Sequence, residues 1–173
     1  AAVIVFLWLV ASVTEYYGTG FAFAINRNVD FNMAIRVAVT VGVFAAFVLS
    51  NWIVSIILDG NGSLKDITAT AAYSLIPYIL SLFLKVGLTN VLIPAESVFI
   101  DILLIVGLLW SGVLLFLGLM TIHEFSVGRT IWSLLLTLVG MIIIVFLIIL
   151  LYSLVRQLAD FIVSVYKEFR FRS

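Results

Sequence analysis

The 173-residue chain has no cysteine, two prolines and a single histidine, and only 10% of its residues are charged. Without cysteine there is no disulfide framework, no thiol nucleophile and no thiolate metal site. Nine basic and nine acidic residues cancel, so no basic field exists to hold nucleic acid. Disorder is excluded by the opposite property, because 65% of the residues are hydrophobic where soluble domains run at roughly 45–50%. A soluble globule of this length has no interior for that much apolar surface. With a mean hydropathy of +1.33, the chain reads as a multi-span membrane protein.

A bilayer core of about 30 Å takes about 20 consecutive apolar residues in a helix. Residues 37–58, 67–84, 102–120 and 131–155 carry no charge, which predicts spans over about 36–58, 67–86, 97–120 and 131–153. Residues 1–13 are equally apolar but reach only about 20 Å at about 1.5 Å per residue. They are expected to be the back half of a first span that begins before Ala1. No basic segment precedes them, so they do not read as a signal peptide. The expected fold is therefore all-α: a polytopic bundle over residues 1–155 with five transmembrane helices, the first truncated. Trp132 and Tyr152 stand 20 residues apart, as interfacial anchors at the two ends of the last span would.

The pattern changes after that span. Leu154, Leu158, Phe161, Ile162, Val165 and Phe169 recur at helical spacing, with Arg156, Asp160, Ser164, Lys167 and Glu168 opposite. Residues 154–173 are expected to form an amphipathic helix on the membrane surface. Residues 14–36, rich in aromatic and polar side chains, are expected at the headgroup level. Five spans place Arg27, Arg36, Lys85, Arg156, Lys167, Arg170 and Arg172 on one side, against Lys65 and Arg129 on the other. The positive-inside rule then favours a cytoplasmic tail.

Motifs that would carry chemistry break down residue by residue. Asp59, Asn61 and Ser63 fit the start of a calcium loop, but Leu64 stands where the turn needs Gly and Thr70 where the bidentate Glu belongs. Lys65 lacks the glycine before it and the hydroxyl after it that a phosphate-cradling loop requires. His123-Glu124 opens like a zinc-protease helix, yet Val127 replaces the second ligand. His123 is expected as a loop histidine at the headgroup level, and Asn61-Gly62 as a turn with positive φ. Asp101 and Lys85 fall at span ends, so no ionisable group is expected at mid-membrane to relay protons. No catalytic, cofactor or metal site is expected.

What the spans do carry is packing chemistry. Gly42, Ala46 and Ser50 repeat every four residues on the second span, and Gly107 with Ser111 on the fourth. Such stripes let helices approach closely. Asn51 is the most deeply placed strong polar group and is expected to bond a neighbouring helix through Tyr73, Ser74 or Ser111. Pro77 frees a backbone carbonyl in the third span and is expected to kink it.

Together these residues resemble the Yip domain family (Ypt/Rab-interacting proteins) of five-span membrane proteins, above all its Gram-positive bacterial branch. The matching residues are Asn51-Trp52, then Asp59-Gly60-Asn61-Gly62-Ser63-Leu64-Lys65-Asp66, then Tyr73 and Pro77-Tyr78. Glu96, Trp110-Ser111-Gly112, Gly118, His123 and Gly128-Arg129-Thr130 follow. The resemblance implies a non-enzymatic, all-helical protein with a cytosolic N-terminus and an external C-terminus, opposite to the charge count. Eukaryotic relatives serve membrane traffic through Rab-type GTPases, but the acidic N-terminal motif that accompanies that role has no counterpart here. Bacterial look-alikes imply association with carbohydrate ABC transporter permeases.

The sequence thus supports a scaffold or accessory subunit in a bacterial plasma membrane, with lipid and other integral membrane proteins as partners and contacts made by the second and fourth spans. Two other classes stand beside it. One is a small-solute channel or transporter with a pocket around Asn51, Tyr73, Pro77 and Asp101. The other is a membrane-shaping protein whose tail wedges between headgroups.

Overall fold

The computed structural model describes residues 1–20 and 32–172. Of the headgroup-level stretch expected over 14–36, residues 21–31 fall outside that range, while 14–18 belong to the first helix and 33–36 to the second; the tail side chains beyond Ser164 also fall outside. Six helices make up the described chain: α1 (Ala2–Gly18), α2 (Met33–Ile57), α3 (Leu64–Ser74), α4 (Ile76–Thr89), α5 (Ser97–His123) and α6 (Val127–Arg172), with a 3₁₀ turn at Pro94–Glu96. Four stretches are long and apolar enough to cross a bilayer: Met33–Ile57, Leu64–Thr89, Ser97–His123 and Val127–Ser164. At 17 residues, α1 reaches about 25 Å. The chain is a multi-pass membrane protein built as a helical bundle.

Local signals set the helix ends. The Asn32 side chain accepts from the Ala34 and Ile35 amides at the start of α2. Ser63 and Asp66 form a reciprocal capping box on α3, which satisfies amides that no earlier carbonyl can reach. Glu124, in the left-handed region at φ 56°, ends α5. The expected turn at Asn61-Gly62 differs in detail: among the described residues no glycine has positive φ, and Asp59 at φ 51° makes the reversal after α2.

The third span lies at the centre and is broken. Its window is 39% buried, against 6% for α6. α3 packs on α2 and α5, and α4 on α1 and α5. Ile4 and Ala11 of α1 meet Ala72, Ile79 and Leu82 around the break, while Val48 of α2 meets Ile67 and Ala71. The interruption at Leu75 follows from Pro77, which has no N–H and whose ring crowds the carbonyl four residues back. The neighbouring helix repairs the ladder, since the Tyr78 N–H donates to Ser111 Oγ on α5 (3.0 Å).

α6 is one continuous 46-residue helix, about 69 Å long and more than twice the about 30 Å of a hydrocarbon core. The expected tail continues the last span with no helical interruption at residue 154. Trp132 and Tyr152 are both exposed on it.

Candidate functional site

The conspicuous polar feature is a buried cluster where α2, α5, α6 and the α2–α3 loop converge. Asn51 on α2 is 0% exposed. Its Nδ2 donates to Thr137 Oγ1 on α6 (3.0 Å), and its Oδ1 lies 3.2 Å from His123 Nε2 at the end of α5. The other ring nitrogen, Nδ1, accepts from the Gly62 N–H (3.2 Å). A neutral imidazole has one donor and one acceptor. The proton therefore sits on Nε2 and points at Asn51. The Thr137 hydroxyl in turn donates to the Ser133 carbonyl (2.7 Å), and the Ser50 hydroxyl donates to the Thr137 carbonyl (2.7 Å).

The loop closes over this cluster by contact rather than by backbone strain at its glycines. A Cβ on Gly60 would lie 2.8 Å from His123 Nδ1, and one on Gly62 would lie 2.6 Å from His123 Cε1. Only glycine lets the loop backbone come down onto the imidazole. Phe125 stacks on the ring, centroids 5.1 Å apart, and the Arg129 guanidinium covers Phe125 at 4.9 Å. Arg129 also donates to the Leu58 carbonyl, and Asn61 Nδ2 to Glu124 Oε2 (2.9 Å). The α2–α3 loop is thus stapled to the α5–α6 corner.

His123, expected as a headgroup-level loop residue, is the last residue of α5 and 2% exposed. The partners of Asn51 are Thr137 and His123, not Tyr73, Ser74 or Ser111. Thr130, Ser133, Thr137 and Gly140 on α6, three or four residues apart, form a further small-residue stripe that the sequence reading does not single out as a group. The first three are buried, and a Cβ on Gly140 would meet Ser50 Oγ at 2.2 Å.

The remaining sequence candidates fall in three places. Ala46 and Ser50 are buried on α2, whereas Gly42 has open space around it. Gly107 and Ser111 on α5 receive the broken third span: a Cβ on Gly107 would lie 2.4 Å from Ser81 Oγ and 3.3 Å from the Pro77 carbonyl. Trp52, Asp59, Lys65, Asp66 and Tyr73 are exposed, and Pro77 and Tyr78 half-buried.

The pocket imagined around Asn51, Tyr73, Pro77 and Asp101 separates into different sites. Pro77 lines a cavity of about 200 Å³ with Ser81, Gly107 and Trp110. Tyr73 lines another of about 320 Å³ with Thr70, Ser74 and Gly118. Asn51 lines neither, and Asp101 is exposed at the start of α5. Among the described residues no three His, Asp or Glu side chains are grouped to hold a metal ion. Chemically the cluster is a clamp: a neutral imidazole, an amide and hydroxyls whose hydrogen bonds end on one another and on backbone.

Comparison with known proteins identifies the family. No curated protein matches the chain, and no solved structure does. The Yip1 domain matches residues 1–159, which takes in α1 to α5, α6 as far as Ala159, the stapled loop and the buried cluster. The chain is a member of the Yip1 domain family.

Proposed function

We propose that the protein is a non-enzymatic scaffold or accessory subunit of a complex in a bacterial plasma membrane, docking other integral membrane proteins along α6. One observation carries this reading. Beyond Gly140, every α6 side chain from Ile142 to Ser164 except the half-buried Ile144 is exposed, and the run from Ile142 to Leu151 is apolar on all sides. A helix apolar all round is ordinarily buried, and here only lipid or another helix can cover it. The small-residue stripes on α2 and α5 make their closest approaches within the chain, to Thr137, Ser81 and Tyr78. The docking face therefore shifts from the second and fourth spans to the last. A carbohydrate ABC permease is the partner class to try first, on the strength of the family resemblance.

The chain lacks cysteine, so single cysteines at Ile142 and Ile149 give clean crosslinking sites. In native membranes both are expected to crosslink to a distinct integral membrane protein, while a cysteine at exposed Lys65 in the α3 cap is not. A protein that purifies from mild detergent as a strict monomer, with no crosslinked partner at either position, would refute the reading.

A further inference from the structure

Three charged side chains meet at the end of the bundle opposite the stapled loop. Glu15 lies one turn from the end of α1, Arg36 one turn into α2, and Lys85 one turn from the end of α4. Each is within about 6 Å of its helix end at about 1.5 Å per residue, which is headgroup depth. Glu15 and Lys85 form an ion pair and cancel. Among the described residues Arg36 has no carboxylate partner: its Nη2 donates to the Ser12 carbonyl (3.1 Å), and its Nε is buried with no hydrogen-bond acceptor. Among the described residues one positive charge is thus left uncompensated at a membrane boundary, where charged groups ordinarily pair.

Arg36 lines a cavity of about 220 Å³ together with Trp8, Ser12, Glu15, Thr40 and Tyr78. The volume is far above the roughly 10–15 Å³ that one water needs. Val39 and Val43, which also line it, are exposed, so the cavity opens outward from α2. A guanidinium presents several N–H donors in a planar fork that matches phosphate oxygens. We propose that this cavity binds a phosphate group, with Arg36 as the anchoring cation. The bilayer supplies that chemistry as an anionic phospholipid headgroup, and the aqueous phase supplies it as free phosphate.

The full chain in dodecyl maltoside, followed by thermal unfolding, separates these sources. Phosphatidylglycerol is expected to raise the unfolding midpoint saturably and phosphatidylcholine at the same concentrations is not. If inorganic phosphate reproduces the rise, the site takes the free anion; if it does not, the site takes the lipid. Arg36→Gln is expected to weaken half-saturation about tenfold, equivalent to about 1.4 kcal/mol. Val43→Trp keeps Arg36 and its bond to Ser12 but fills the cavity mouth, so it decides the matter if the Arg36 variant does not fold. Equal effects of the two lipids, no shift with either anion, or wild-type half-saturation in Arg36→Gln, or in Val43→Trp where it stands alone, would overturn the proposal.

Discussion

Replacing Thr137 by valine tests whether the buried cluster holds α2 and α6 together. Valine keeps the shape of threonine, so the change deletes one hydroxyl and leaves no cavity. Two hydrogen bonds disappear: Asn51 Nδ2 loses its acceptor at 3.0 Å and the Ser133 carbonyl its extra donor at 2.7 Å. The first loss is the costly one, because Asn51 is 0% exposed and an orphaned buried donor costs about 1–3 kcal/mol. Side-chain bonds between helices in lipid run lower, averaging about 0.6 and reaching about 1.7 kcal/mol. The two figures bracket an expected destabilisation of about 1–2 kcal/mol. Asn51→Leu removes both of its bonds and strands His123 Nε2–H as well, so about 2–4 kcal/mol is expected. Both single changes break the same Asn51–Thr137 bond. The double variant should therefore fall short of their sum by about 0.5–1.5 kcal/mol. Reversible unfolding of the purified chain in mixed micelles, titrated with dodecyl sulfate and read by tryptophan fluorescence, measures all four corners of the cycle. Strict additivity, within about 0.3 kcal/mol, would refute the clamp.

Three further outcomes follow from the packing. Gly42→Ala, which meets nothing within 4 Å, should stabilise α2 by about 0.5–1 kcal/mol, whereas Gly107→Ala and Gly140→Ala should each lower stability by about 1–3 kcal/mol through overpacking, all read as shifts in the same unfolding titration. Ser111→Ala should cost about 1–3 kcal/mol by orphaning the Tyr78 N–H, and that cost should shrink in a Pro77→Ala background, where the helix regains its own ladder. Single cysteines at Ser63 and Asn90, both exposed at opposite ends of the broken span, should label from opposite sides with an impermeant thiol reagent; labelling from one side would break the topology, and a cysteine at Ser173 assigns the side of the C-terminus.

The all-helical membrane fold was legible from the absence of charge, because a bilayer imposes its thickness on any apolar run that crosses it. The helices Met33–Ile57 and Ser97–His123 lie over two such runs. Lateral order was not legible. Periodicity marks which face of a helix is apolar but not which helix covers it, so the partners of Asn51, 72 and 86 residues away, were out of reach of any local pattern. His123 was misplaced for a related reason. A histidine at a span boundary reads as wet unless the loop that buries it is known, and that loop comes from α2. The stripe Thr130, Ser133, Thr137 and Gly140 was visible in principle, since small residues three or four apart share one helix face. The charges from Arg156 onward read as a boundary because charge marks where lipid ends, not where a helix does.

The clamp also constrains how the protein is made. Asn51 enters the membrane with α2, but Thr137 is synthesised 86 residues later, about 4–17 s at about 5–20 residues per second. For the first 72 of those residues the amide sits in the second span with neither final partner made, and until Thr137 follows only His123 is available. Assembly of this bundle is therefore timed by its last helix, and a ribosome stall between α5 and α6 would leave the Asn51 Nδ2 donor in lipid without its Thr137 acceptor.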